Sequence, residues 1–189
     1  MTGSELFERL ADAGLPALLR DRFENPNVCI VTTRIVLDVA EYFGVAVEPI
    51  TVRAVAYNAA FAKHVDEGFT EGRDPKAWND GSWSVGVGYG YAEGQSRANG
   101  WDGHLIAYAD GHVADFSVGQ LERPAHDLII GSHMIAEVSN LTEAWAVHLS
   151  SGSVVEYERI DSREYIYAKD WRDNRRRRLS AALIRTLKR

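Results

Sequence analysis

The residues of this chain best suited to chemistry are its single cysteine, Cys29, and two residues far downstream, His104 and Asp115. A cysteine thiolate is a nucleophile, an imidazole takes the thiol proton, and a carboxylate holds the imidazole in orientation. In this chain order, the three residue types are the parts of a cysteine acyl-transfer site. The sequence therefore predicts a nucleophile, a general base and an orienting acid, and leaves the substrate open.

Cys29 lies near the start of a helix predicted over residues 26–43. Apolar residues recur there at steps of three and four, and Gly44 supplies a C-terminal stop, so we expect a central helix. With Asn25 or Asn27 as N-cap, Cys29 falls in the first turn. There the helix dipole stabilises an anion, and backbone N–H groups could hold an oxyanion. A buried thiol with an apolar packing role is the alternative interpretation.

His104 and Asp115 are brought together by a predicted hairpin. The pair Asp110-Gly111 between two alternating runs is typical of a two-residue type I′ turn. The resulting register places His104 and Asp115 on one face as diagonal neighbours, about 7 to 8 Å apart. An ordinary cross-strand polar pair is the alternative. His112 falls on the opposite face, and we expect the other histidines to be surface or structural residues.

Two accessory residues are predicted at the site. Trp101 precedes the His104 strand and could wall a substrate-binding cleft, whereas Ser117 shares the face of Asp115 and could polarise it. Packing is the alternative for both. His104, His112 and Asp115 do not share a face, and no zinc-site spacing, phosphate loop or dinucleotide fingerprint occurs, so we expect neither metal nor cofactor.

The other patterns predict an α+β domain with helices at both ends of an antiparallel meander. A strand over residues 83–89 has glycines on its second face, which a neighbouring backbone or a ligand can approach closely. The further elements are a helix over 4–22 broken at Gly14, a strand over 45–58, a short helix over 59–67, a loop over 68–81, a hairpin over 145–160, a short strand over 164–168 and an amphipathic helix over 170–189.

Composition favours one soluble globular domain over residues 1–189, with 46% hydrophobic and 25% charged residues. Residues 1–24 would form an N-terminal helical cover, residues 25–125 the catalytic-type core, and residues 170–189 a basic C-terminal helix. The acidic N-terminal segment does not resemble a secretory signal, and no run is long enough to span a membrane. Together with a lone cysteine, this favours a cytoplasmic protein.

The net charge of −6 hides an uneven distribution of charge. Residues 163–189 carry ten Lys and Arg against three acids, whereas residues 1–162 carry 11 basic and 24 acidic side chains. We interpret the basic segment as a solvated helix face, packed against the acidic body. Contact with a protein or acidic partner is an alternative. Nucleic-acid binding is less favoured, because the body is acidic.

A cysteine that opens a central helix, followed by a histidine on one strand and an aspartate on the next, resembles the transglutaminase-like branch of the papain-like superfamily, which includes the arylamine N-acetyltransferases. The resemblance covers about residues 25–125 and rests on Cys29, His104 and Asp115. It implies a hydrolase or acyltransferase that cleaves or exchanges an amide, isopeptide or thioester bond in a peptide or small acyl substrate.

The spacing within this pattern is wide. Seventy-five residues separate Cys29 from His104, which implies an insertion around residues 59–100. The residues beside Cys29 and His104 also differ from those typical of the acetyltransferases and transglutaminases. A catalytically inactive relative that uses the same fold as an interaction module is therefore the alternative function.

Overall fold

The computed structural model describes residues 1–20, 28–68, 80–88, 103–172 and 176–189, and within them helices accompany one antiparallel sheet. This is the α+β class that the sequence predicts. The helices are α1 (Gly3–Asp12), α2 (Leu15–Arg20), α3 (Cys29–Phe43), α4 (Ala59–Asp66), α5 (Lys169–Arg172) and α6 (Arg176–Leu187). The strands are β1 (Glu48–Tyr57), β2 (Ser84–Val87), β3 (His104–Ala109), β4 (His112–Asp115), β5 (Met134–Glu137), β6 (Trp145–His148) and β7 (Val154–Arg159).

β1 is the central strand of the sheet, whose order is β5-β4-β3-β1-β7-β6. Residues 48–52 of β1 pair with β3, residues 54–57 pair with β2 along the same edge, and β7 pairs along the opposite edge from Val52 onwards. Pro49 therefore lies where β1 has a neighbour on one edge only, as its missing N–H requires. The long strand β1 thus holds β3, which carries His104, and β7 in one sheet.

The glycine-rich face of the β2 segment is approached by a neighbouring backbone. Gly88 has a φ of +86°, and a Cβ atom there would lie 2.9 Å from the carbonyl oxygen of Val52. A larger residue at Gly88 would therefore clash with β1 itself. Of the two possibilities raised by the sequence, a backbone or a ligand, the structure places a backbone against Gly88.

Helix α3 packs against β3 on one side and α6 on another. Its apolar residues form a core with α1, α2 and α6, so α3 is the central helix that the sequence predicts. The predicted N-cap was wrong, because Val28 rather than Asn25 or Asn27 occupies that position. Thr32 anchors the first turn instead, since its N–H and hydroxyl group both donate to the carbonyl of Val28.

The predicted strand over residues 164–168 is also wrong. Glu164–Tyr167 forms a turn of 3-10 helix followed directly by α5. This turn buries Tyr165, whose ring contacts Trp171 edge to face at a centroid distance of 4.8 Å. Packing of one aromatic ring therefore outweighs the strand preference of the Tyr-Ile-Tyr segment.

Helix α6 places its leucines against the body and exposes most of its charge. Leu179, Leu183 and Leu187 are buried. Arg176 is buried as well, and its Nε lies 3.2 Å from a carboxylate oxygen of Asp38 on α3. The basic segment therefore packs against an acidic residue of the body, as predicted. No helix among the described residues is both long and apolar enough to cross a membrane.

We expect Leu183→Ala to lower the free energy of unfolding by about 2 to 5 kcal/mol, because it removes a side chain from the core that α6 shares with α3. Urea denaturation measures this change. Arg177→Ala on the exposed face of the same helix is the control and should change the free energy by less than about 0.5 kcal/mol. Equal effects of the two variants would contradict the docking of α6.

Candidate active site

The hairpin of β3 and β4 places His104 against Asp115. Its turn residues have positive φ angles, 49° for Asp110 and 78° for Gly111, and Ala109 pairs with His112 as the predicted register requires. His104 Nε2 lies 2.6 Å from Asp115 Oδ2. The predicted contact between the two side chains is confirmed, and both are buried.

The carboxylate of Asp115 accepts hydrogen bonds on both of its oxygens. The N–H and the hydroxyl group of Ser117 each donate to Oδ1 at 2.9 Å. The hydroxyl group of Tyr157 donates to Oδ2 at 3.0 Å, beside the bond from His104. Burial opposes the charged form, but His104 and Ser117 outweigh it and hold the pKa of Asp115 below 3.8. The buried charge is therefore fully paired.

Cys29 meets His104 where the start of α3 crosses β3. Thr33, one turn into the helix, donates its hydroxyl group to the carbonyl oxygen of Leu105 at 2.9 Å, which fastens the helix to the strand beside His104. The Cys29 thiol acts on the His104 ring, because its hydrogen bonding and charge contribute to the raised pKa of that ring. Because Nε2 contacts Asp115, a proton exchanged with the thiol would pass through Nδ1. His104 therefore contacts Asp115 directly and interacts electrostatically with Cys29.

Two opposing effects act on the charge of His104. Burial alone would lower its pKa. The negative charge and hydrogen bond of Asp115, followed by the hydrogen bond and charge of Cys29, outweigh burial and raise the pKa of His104 above its ordinary 6.5. The site thus favours the charged, imidazolium form of His104.

The Cys29 side chain is only slightly exposed. Cys29 is 5% exposed and His104 is 0% exposed. Ile30, Leu105 and Tyr165 pack around Cys29. Access of solvent or of a reagent to the sulfur is therefore restricted.

Helix α3 also provides donors at this point. Its first helical residue is Cys29, so the backbone N–H groups of its first turn have no acceptor within the helix. The positive end of the helix dipole lies at the same place. An oxyanion formed on a carbon attached to Sγ would lie near these donors.

Two contacts at the site were not predicted from the sequence. Tyr157 reaches Asp115 from β7, across the central strand β1, and the Nε2 of Gln120 lies 3.2 Å from His104 Nδ1. A signal existed for Tyr157, because alternation in β7 places it on the buried face, where a hydroxyl group needs a partner. Gln120 carries no such periodic signal.

The structure also bears on the other residues that the sequence analysis discussed. Ser117 contacts Asp115 as expected. Trp101 lies outside the described residues. His112 is turned away from the site, and its Nδ1 lies 3.0 Å from the carbonyl oxygen of Asp110. No group of three His, Cys, Asp or Glu side chains in the described part of the chain is arranged to hold a metal ion.

Comparisons of the chain with protein-family models, with curated proteins and with solved structures found no match.

We expect the protein to become less stable as the pH rises, because the charged ring of His104 then loses its proton. The folded-state pKa of His104 lies above its unfolded value of 6.5 and reaches about 10, so its contribution is complete below 6.5 and is lost as the pH rises between these values. In this window the free energy of unfolding should fall by up to about 1.4 kcal/mol per pH unit. Urea titrations at several pH values measure the slope.

The matched variants for this slope are His104→Gln and His112→Gln. The first removes the titrating ring and should flatten the slope, because Gln carries no proton to lose. The second removes a ring that is outside the buried network, so the slope should persist. Parallel slopes for the native protein and His104→Gln would contradict a charged His104 in the folded state.

Proposed function

We propose that this protein is a cysteine hydrolase or acyltransferase in which Cys29 is the nucleophile, His104 the general base and Asp115 the orienting acid. The observation that carries the proposal is the buried contact of His104 with a fully paired carboxylate, together with the effect of the Cys29 thiol on the pKa of the same ring. A cross-strand polar pair with a structural role alone has no need of a thiol beside the ring.

The reaction follows from these atoms. The thiol proton passes to Nδ1 of His104, and Sγ attacks the carbonyl carbon of an amide or thioester. The carbonyl oxygen becomes an oxyanion, which the N–H groups of the first turn of α3 stabilise. The leaving amine or thiolate takes the proton from Nδ1, and a thioester to Cys29 is left. Water or an amine then attacks the thioester, returns a proton to Nδ1 and releases the sulfur.

Asp115 and its partners keep the base in its working state. The carboxylate accepts from Nε2, which leaves Nδ1 as the nitrogen that can take the thiol proton. Ser117 and Tyr157 hold the carboxylate in place. Burial, followed by the charge of Asp115, raises the pKa of Tyr157 well above 10, so its hydroxyl group stays a donor. The chemistry is therefore supported by protonation states as well as by distances.

The arrangement agrees with the transglutaminase-like branch of the papain-like superfamily, and we include that fold in the proposal. In both, the nucleophile opens a helix that packs on an antiparallel sheet, and the histidine and the acid lie on neighbouring strands. Helix α4 and strand β2 would belong to the insertion between nucleophile and base. The expected substrate is a peptide or small acyl compound with a scissile amide, isopeptide or thioester bond.

One observation favours a second candidate, a non-catalytic interaction module of the same fold. Cys29 is only 5% exposed, and Tyr165 packs beside it. In this case the connected side chains would stabilise the core alone. The exposed arginines of α6, such as Arg177, Arg178 and Arg185, would form the contact surface for a protein or acidic partner.

The alkylation of Cys29 by iodoacetamide from pH 4 to 10 distinguishes the two functions. Because the chain has one cysteine, mass spectrometry reports a single site. A free thiol with a pKa of about 8.5 is less than about 1% thiolate at pH 6, so an activated pair should react roughly 100-fold faster there. We expect this excess in the native protein, its loss in His104→Ala, and its retention in His112→Ala.

The interaction module predicts a different rate profile. A rate that rises only near pH 8.5 and does not change in His104→Ala would exclude an activated pair and support the interaction module. Far-ultraviolet circular dichroism checks that the variants fold, and His104→Gln replaces His104→Ala if the alanine variant does not fold.

We further expect Cys29→Ala to abolish turnover of any amide or thioester substrate found by screening, because no other thiol is present. The variant should retain the fold and bind the same substrate, since alanine removes only the sulfur. Product formation is measured by chromatography with the native protein as reference. Full turnover by Cys29→Ala would remove the nucleophile assignment.

A further inference from the structure

Gln120 touches the ring nitrogen that the proposed mechanism uses. It lies in the 3-10 helix Val118–Leu121 that follows β4, and its side chain is half-buried. The side-chain nitrogen of Gln120 lies 3.2 Å from Nδ1 of His104. Its backbone is held independently, since its N–H donates to Ser117 and its carbonyl oxygen accepts from Arg123. The amide is thus presented to His104 by a supported main chain.

The chemistry of an amide nitrogen determines what this contact favours. The Nε2 of Gln120 carries two hydrogens and can only donate, so this contact is a hydrogen bond only when Nδ1 carries no proton. The hydrogen of a neutral ring is then on Nε2, where it donates to Asp115. Gln120 therefore stabilises the neutral imidazole, whereas Asp115 and the sulfur anion stabilise the charged one.

We propose that Gln120 is a positioning residue that acts through His104 and restrains the transfer of the Cys29 proton to Nδ1. The proposal rests on the function proposed above, because it needs Cys29 and His104 to exchange a proton. When the proton moves from Sγ to Nδ1, that nitrogen becomes a donor and the contact with Gln120 is lost. The thiolate pair forms only at the expense of this hydrogen bond.

The other groups around the ring do not change in this step. Among the described residues, the titratable groups that face His104 and its partners are Cys29 from α3, Asp115 from β4 and Tyr157 from β7, and Tyr165 packs beside Cys29. Arg123 donates to main-chain carbonyls of the 3-10 segment. Variants of the uncharged Gln120 therefore leave the charges around His104 in place.

The test is the pH dependence of Cys29 alkylation in Gln120→Leu and Gln120→Met, which remove the amide at similar volume. We expect the alkaline limb of the rate profile, where the imidazolium loses its proton, to move to higher pH by about 0.5 to 1 unit. This is the shift expected from the loss of one neutral hydrogen bond to the unprotonated ring. The acidic limb, where the thiol loses its proton, should not move, because the ring is charged on both sides of that step. Either variant suffices if the other does not fold.

A third variant should give a larger shift in the same direction. Gln120→Glu places a hydrogen-bond acceptor against Nδ1, which favours the charged ring. The alkaline limb should then move to higher pH than in Gln120→Leu and Gln120→Met. A residue that only packs against His104 would move neither limb, so the profile separates positioning from a structural role.

The outcomes for the two proposals are separable. If the native protein shows no acidic limb that depends on His104, both the proposed function and the role of Gln120 fail. If that limb is present but Gln120→Leu and Gln120→Met leave the alkaline limb unchanged or move it to lower pH, the role of Gln120 alone is overturned. Movement of the alkaline limb to higher pH supports both.

Discussion

The buried carboxylate of Asp115 is the constraint on which the site depends. A charge with 1% exposure is tolerated only when its oxygens are paired, and here three side chains and a backbone N–H supply the partners. The partners come from β3, from the chain after β4 and from β7. The need to satisfy one carboxylate therefore fixes three parts of the sheet relative to one another, and fixes the orientation of His104 with them.

Cys29 is positioned by a second, mostly apolar arrangement. Helix α3 is held between β3 and α6, and the buried Arg176 joins α6 to Asp38 of α3. The Thr33 hydroxyl group adds a direct hydrogen bond from α3 to the strand of His104. Because a helix with little exposed surface cannot slide without opening the core, Cys29 stays beside β3. The position of Cys29 is thus a consequence of packing.

His104 lies where these two arrangements meet, and its two nitrogens face different demands. Asp115 holds Nε2, and Gln120 contacts Nδ1. Because an amide nitrogen can only donate, the protonation of Nδ1 decides whether this second contact is a hydrogen bond. A single proton on His104 therefore distinguishes two states of the site.

The sequence by itself determined the α+β class, the β3–β4 turn and the contact of His104 with Asp115, because a two-residue turn at Asp110-Gly111 leaves one register. Tertiary structure decided the rest. Tyr157 and Gln120 lie 42 and 16 residues from their partners and follow no local period, so only the folded sheet brings them there. The helix start at Cys29 and the 3-10 turn at Tyr165 were likewise set by packing, which outweighs local capping and strand preferences.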